Sequence, residues 1–401
     1  MSDSVWILGA SMTRFARHAD RDLLDLASEA ALGALEDGGV SVQDLDVLAC
    51  GSLFAANAGV GQQLLGQIGQ TGISVYNVAN ACATGATAVR VGVMAIRSGE
   101  ASMALAVGAE KMGKMGLLGG SRGPAEPPKV FEPEGRFGSV RSVEGILGTK
   151  TMPGVFAQAG MRYAHDHPDV GFEQFAKVAH KNHQHSTLNP LAQYRKEFSL
   201  DEIKASPMVA YPNTLLMCCP TGDGAAAAVL VGGERMRTLS ADQRRRAVKL
   251  SASVLTSDPY VEGGQAQPDV NTLTRNAACA AYEQAGVAPE DLDLVELHDC
   301  FASAELLHYD NLGLCAPGGA GDFIDSGAPY RHGALPVNVS GGLISKGHPI
   351  GATGVANIYE VAAHLRGEAG ERQIPDARVG LAHVIGLGSS CCVHILERSA
   401  A

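Results

Sequence analysis

Three short stretches of this chain combine reactive side chains with backbone able to present them. Asn77-Val-Ala-Asn-Ala-Cys82-Ala-Thr-Gly85 follows an apolar run and precedes a helical pattern. A cysteine so placed lies near the positive end of a helix dipole and near amides without intrahelical partners. Both effects favour thiolate, which makes Cys82 the candidate nucleophile. Ser340-Gly-Gly-Leu-Ile-Ser-Lys-Gly-His348-Pro349 is a glycine-rich loop entering a second helix, with Pro349 where a missing N–H costs nothing. It holds His348, the candidate base, and it matches neither glycine pattern of nucleotide-binding loops. Leu297-His298-Asp-Cys300-Phe301 ends a strand pattern and offers a second imidazole and a second thiol. Taken singly, each has a plainer reading: buried inert thiols for Cys82 and Cys300, satisfied loop or turn imidazoles for His348 and His298.

The elements that must position these groups alternate in type. Short apolar runs predict strands at Val5–Gly9, Leu45–Cys50, Val75–Ala79, Met103–Gly108, Ala225–Gly232, Lys249–Leu255, Leu292–Leu297, Pro336–Val339, Val379–Ile385 and Cys391–Leu396. Apolar residues at 3–4 spacing predict helices at Leu23–Leu35, Ala86–Ser98, near Thr272–Ala285 and near Gly354–Arg366. Such alternation is the signature of an α/β fold. Residues 113–148, rich in Gly and Pro, read as irregular, and 151–207 as helices.

The two halves resemble each other. Glu36-Asp-Gly-Gly-Val40 before Asp44-Leu-Asp-Val47 matches Glu283-Gln-Ala-Gly-Val287 before Asp291-Leu-Asp-Leu294, and Gly85-Ala-Thr87 matches Gly351-Ala-Thr353. The second offset places Cys82 opposite His348. A duplication would therefore put a nucleophile and a base on equivalent strand-to-helix turns of two packed copies. The expected domains are 1–112 with 208–240 as the first half, 113–207 as an inserted cover, and 241–401 as the second half.

Composition narrows the function class. The chain has 401 residues, 46% hydrophobic and 18% charged, which excludes disorder over any large part. A net charge of -11 leaves no general basic footprint for nucleic acid or anionic membrane, and no apolar run is long enough for membrane insertion. Nine scattered Cys without a C-x-x-C read as free thiols in a reducing compartment. Early charges argue against a signal peptide and Glu-Arg-Ser-Ala-Ala is no peroxisomal address, so a cytoplasmic location is expected. His180, His183 and His185 have metal-like density, yet no carboxylate or thiolate completes a set; a solvated basic face over an anionic cofactor is expected, and no metal.

Cys82 in N-A-C-A-T-G, His298-Asp-Cys-Phe301 and Gly347-His348-Pro349, in that order, resemble the thiolase superfamily. Lys181-Asn182-His183 and Cys218-Cys-Pro-Thr-Gly-Asp-Gly-Ala-Ala extend the resemblance along essentially the whole chain. The H-D-C-F form is similar to the sterol-carrier-protein type. The resemblance implies a five-layer α-β-α-β-α core of duplicated βαβαβαββ halves with an inserted loop domain. It implies an acyl-CoA thiolase acting on coenzyme A thioesters, with no tightly bound cofactor. Cys82 would carry the acyl group, His348 would activate it, Cys300 would be the second acid/base, and His298 would complete one oxyanion hole. The backbone N–H groups of Cys82 and Gly386 would form the other. Two departures stand out: Val384 occupies the place of a second catalytic cysteine, and Cys219 falls near a pantetheine-binding serine. Lys181, His183, Arg195 and Cys219 are the expected CoA contacts, and a homodimer or homotetramer the expected assembly. Two alternatives remain open: a ketosynthase-like decarboxylating condensing enzyme, or a thiolase-like subunit active only with a small OB-fold partner.

Overall fold

A computed structural model describes residues 4–113, 151–259, 270–387 and 389–399. The first half is built from β1 (Val5–Met12), α1 (Leu23–Gly38), β2 (Val47–Gly51), α2 (Val60–Ile68), β3 (Ser74–Val78), α3 (Thr84–Arg97) and β4 (Met103–Lys111). Helices α4 (Thr151–Asp166), α5 (Phe172–Ser186) and α6 (Leu200–Ala205) follow, then a small hairpin, β5 (Met208–Ala210) and β6 (Asn213–Thr214), and the long β7 (Asp223–Gly232). Two short helices, α7 (Gly233–Met236) and α8 (Ala241–Arg246), lead to β8 (Val248–Thr256). The second half adds α9 (Val270–Ala285), β9 (Leu294–Glu296), α10 (Ala302–Asn311), α11 (Ala320–Asp325), α12 (Gly342–Lys346), α13 (Ile350–Arg366), β10 (Val379–Gly386) and β11 (Ser390–Arg398).

The large sheet runs β3-β2-β4-β7-β1-β8-β11-β10-β9. Among the described residues its two halves join where Val5, Trp6 and Ile7 pair with Leu250, Lys249 and Val248. Read outward from that seam, each half has two antiparallel neighbours and then parallel strands, so the order repeats as the duplication predicts. The strand expected over Pro336–Val339 is reduced to one parallel bridge, Val295 to Val337, at the place equivalent to β3. Pro336 supplies no amide hydrogen for a ladder, and the chain turns at once into α12.

Strand residues alternate between two buried faces. In β4, Met103, Leu105 and Val107 pack with Leu26, Ala30 and Ala34 of α1. Ala104 and Ala106 face the other way, into a cluster holding Val89 and Val93 of α3, Val355 and Ile358 of α13, and Leu294 and Ala382 of the second half-sheet. The third apolar layer joins α9 and α10 to Leu381 and Ile385 of β10. The result is the expected stack, with α3 and α13 as its central layer. Their approach is close enough that a Cβ on Gly354 would lie 2.3 Å from the Ala86 nitrogen, so no larger side chain fits the crossing. That crossing brings the N-termini of two helices together, and with them the turns carrying Cys82 and His348.

Candidate active site

Cys82 sits at the end of the turn from β3 into α3. Ala81 is held at φ 46°, a left-handed conformation that costs a non-glycine residue energy and is found where a side chain must be presented sharply. Thr84 stabilises the turn: its hydroxyl accepts from the Asn80 amide at 2.8 Å and donates to the Ala81 carbonyl at 2.6 Å. The end of β10 presses on the same turn. A Cβ at Gly386 would fall 2.6 Å from the Asn80 oxygen, so this position requires glycine and its backbone lies against the Cys82 turn. Gly388 lies outside the described residues.

His348 enters from the opposite copy. Its Nδ1 is 2.7 Å from Thr353 Oγ1, whose own hydrogen goes to the Pro349 carbonyl at 3.0 Å. The hydroxyl can therefore only accept from His348, which assigns the ring proton to Nδ1 and leaves Nε2 with a free lone pair. Among the described residues, the buried Nε2 has no hydrogen-bond partner. The His298 and His348 rings meet edge to face, 5.2 Å between centroids. One ligand-type atom from each of Cys82, His298 and His348 lies within 4.8 Å of the other two. Cys300 and Cys219 are buried beside them, and the Cys219 amide donates to the Cys300 carbonyl at 2.9 Å. Val384 packs in one cluster with Cys82.

Burial sets the protonation states. It pushes the Cys82 thiol up to about 12, against the pull of its own backbone amide and with help from the Glu110 carboxylate. Desolvation thus opposes the helix-terminus effect that the sequence predicts, and favours the neutral thiol. Burial also drives His348 down to about 3, with Lys346 adding to the effect, and holds His298 well below its usual range. Cys300 is raised by burial and then by Cys219 and Cys82. The resting pair is a neutral thiol beside a neutral imidazole, able to pass a proton when a substrate carbonyl arrives.

Two expected CoA contacts are placed elsewhere. Lys181 is fully buried, 2.8 Å from Glu305, and donates to Asn182 Oδ1 and the Val337 carbonyl. His183 is buried between Ser345 Oγ and the Leu216 carbonyl, and burial lowers it to about 4. Neither can reach a solvated phosphate. Helix α5 is covered on several sides, so Lys181 and His183, two residues apart on it, are both buried where a solvated face was expected around His180, His183 and His185. His180 and His185 likewise bind separate backbone carbonyls. Arg195 is exposed and donates to the Thr187 carbonyl.

Those buried groups position the site. Asn182 Nδ2 donates to Asp299 and Glu305, Asn338 Nδ2 donates to Glu305, and Asp299 accepts from the Leu343 and Ile344 amides. This network clamps the His298–Cys300 turn to the loop that leads to His348. Glu110 does the same for the first copy, accepting from Ser52 Oγ and the amides of Leu53, Phe54 and Gly351. Glu110 escaped the sequence reading; its one signal is a carboxylate ending an otherwise apolar strand.

A thiol, two imidazoles and a second thiol around two helix N-termini suit covalent acyl transfer. Residues 5–234 match the family described as thiolase, N-terminal domain, and 264–398 the one described as thiolase C-terminal domain-like. The chain belongs to the thiolase family, and it is an acyltransferase of that family. It is 37% identical to human sterol carrier protein 2 over 399 residues, 98% of this chain and 72% of that protein, which bears out the resemblance to the sterol-carrier-protein type. It is 35% identical to an acetyl-CoA acetyltransferase of Methanothermobacter thermautotrophicus over 404 residues, 98% and 99% of the two chains. Its fold matches the structure described as the Ltp2-ChsH2(DUF35) aldolase, TM-score 0.79 at 23% identity, over 99% of each chain. Among the described residues no helix is long and apolar enough to cross a membrane.

Proposed function

We propose that this protein is an acyl-CoA thiolase that cleaves 3-oxoacyl-CoA with coenzyme A, or runs the reverse Claisen condensation, through an acyl-enzyme on Cys82. The observation that carries the reading is the 4.8 Å grouping of Cys82, His298 and His348 with Nε2 of His348 unpartnered.

In cleavage, Cys82 gives its proton to His348 Nε2 as its sulfur attacks the 3-oxo carbon. The oxyanion is received by the backbone N–H groups of Cys82 and Gly386. The bond between C2 and C3 then breaks. Its electrons form an enolate on the departing acetyl-CoA, held by His298 and His348. Cys300 protonates C2. Its raised pKa suits this step, since it keeps a proton to give. Coenzyme A then gives its thiol proton to Cys300 and attacks the acyl carbon, and the Cys82 sulfur leaves and takes its proton back from His348. Two separate sets of donors are needed because negative charge develops on two different oxygens; one such donor is worth on the order of 10²–10³ in rate. Residues 151–207 would cover the acyl pocket, with Arg195 and Cys219 towards CoA.

Intact mass after incubation with a panel of acyl-CoAs tests this. Wild type should gain one acyl group, and Cys82→Ser should not. Cys300→Ala should still acylate but lose condensation by roughly 10²–10⁴-fold. Full turnover in that variant would remove Cys300 from the mechanism.

A second reading is favoured by the likeness to the Ltp2 structure, whose description names a DUF35 partner. Here the chain would need a small OB-fold protein to turn over. Acylation of Cys82 in the isolated chain without turnover, restored by such a partner, supports it. The assembly proposed is a homodimer or homotetramer through β3, an outermost strand whose Tyr76 is 44% exposed. Tyr76→Asp should shift sedimentation towards monomer; an unchanged oligomer places the interface elsewhere.

A further inference from the structure

Cys82, His298 and His348 are a sulfur and two imidazoles, all buried, with ligand-type atoms within 4.8 Å of one another. His348 Nε2 and His298 Nδ1 have no hydrogen-bond partner among the described residues. One thiolate with two neutral imidazoles is a soft donor set that suits zinc and its thiophilic relatives. Metal–sulfur and metal–nitrogen bonds of about 2.3 and 2.1 Å give a tetrahedral edge of roughly 3.5 Å. Closing the site around an ion therefore takes a contraction of about an ångström between the ligand atoms. An outer shell is already built: Thr353 holds His348 Nδ1 at 2.7 Å and so aims Nε2 inward. Glu110 is buried close enough to Cys82 for its carboxylate to act on the sulfur electrostatically.

We propose that Cys82, His298 and His348 bind one soft divalent cation, of the zinc or cadmium class, reversibly and in place of acyl substrate, holding the enzyme inactive. On binding, the Cys82 S–H bond breaks, its proton goes to solvent, and the sulfur and two ring lone pairs bond the metal. No electron is transferred, and the fourth position stays open to water. The ion occupies both the sulfur that would attack and the lone pair that would take its proton, so metal and acyl group exclude each other. Binding stands on the geometry alone; the inhibition rests on the proposed function.

Cobalt(II) titration reads the site without an activity assay. Wild type should show a thiolate-to-cobalt charge-transfer band with tetrahedral ligand-field bands. Both should vanish in Cys82→Ala. His298→Asn, which keeps a donor but removes a ligand, should bind more weakly by at least the roughly 10–100-fold that even outer-shell losses cost. In unmutated protein, zinc should block iodoacetamide labelling of Cys82, mapped by peptide mass, and a chelator should restore it. A band that survives Cys82→Ala places the metal elsewhere, for example at exposed Cys279. Equal affinity in His298→Asn, or labelling indifferent to zinc, also overturns the proposal. Acyl transfer unaffected by zinc at full occupancy overturns the inhibition. Protein that binds cobalt as expected but never acylates on Cys82 would instead sink the thiolase reading and leave the metal site standing.

Discussion

Cys82 and His348 differ from a charged thiolate–imidazolium pair in one measurable way. With the thiol raised to about 12 and the imidazole lowered to about 3, neither group titrates near neutrality. The thiolate fraction then grows about tenfold per pH unit below the thiol pKa. Iodoacetamide labelling of Cys82 should rise about tenfold per unit from pH 7 to 9 with no plateau. A plateau near neutrality would mean that the pair rests ionised and that the helix N-terminus, not burial, governs the sulfur. Thr353 matters at this scale too, because its hydroxyl chooses which nitrogen of His348 is free.

At the scale of elements, α5 is held to the catalytic turns by charges buried out of water. Lys181 and Glu305 are both fully inaccessible; Asn182 bonds both, and Asn338 of the 338–344 loop donates to Glu305. Removing one partner of such a pair strands the other, at about 3–5 kcal/mol. Lys181→Met should therefore lower the denaturant midpoint with little change in the KM for acyl-CoA of the folded enzyme. A raised KM at unchanged stability would return Lys181 to the CoA site. Among the described residues, the Cys82 turn has no comparable charge pair. It relies on Thr84, on the tight approach of Gly386, and on Glu110 gathering three amides and a hydroxyl.

Across the whole molecule, the interior holds many neutral imidazoles. His183, His185, His298, His308, His348, His364, His383 and His394 are all lowered, chiefly by burial. A histidine lowered in the folded state takes up its proton in the unfolded chain first, at about 6.5. Stability from these groups is complete above that pH and is lost as pH falls towards their folded values, about 3–4 where they are defined. The melting temperature should hold from pH 8 to 7 and fall steeply from 6.5 to 4.5. A flat profile across that window would show that these rings keep their protons or reach water.

What could be read from the chain was local or periodic. Alternating strand and helix patterns defined the layers, because burial on both faces of a sheet demands apolar runs. Motif order and the repeated G-A-T defined the pairing of Cys82 with His348, because two copies of one unit put equivalent turns at equivalent places. Residues 113–148, expected to be irregular, lie outside the described residues except Gly113. Only the tertiary structure decided which polar residues face inward. Lys181 and His183 read as groups for an anionic cofactor because they are basic, and nothing local in the chain says what covers the helix that carries them. The helices that bury them arrive from more than a hundred residues away. The same long-range enclosure decided that Cys82 keeps its proton: a dipole is written into one helix, whereas desolvation belongs to everything packed around it.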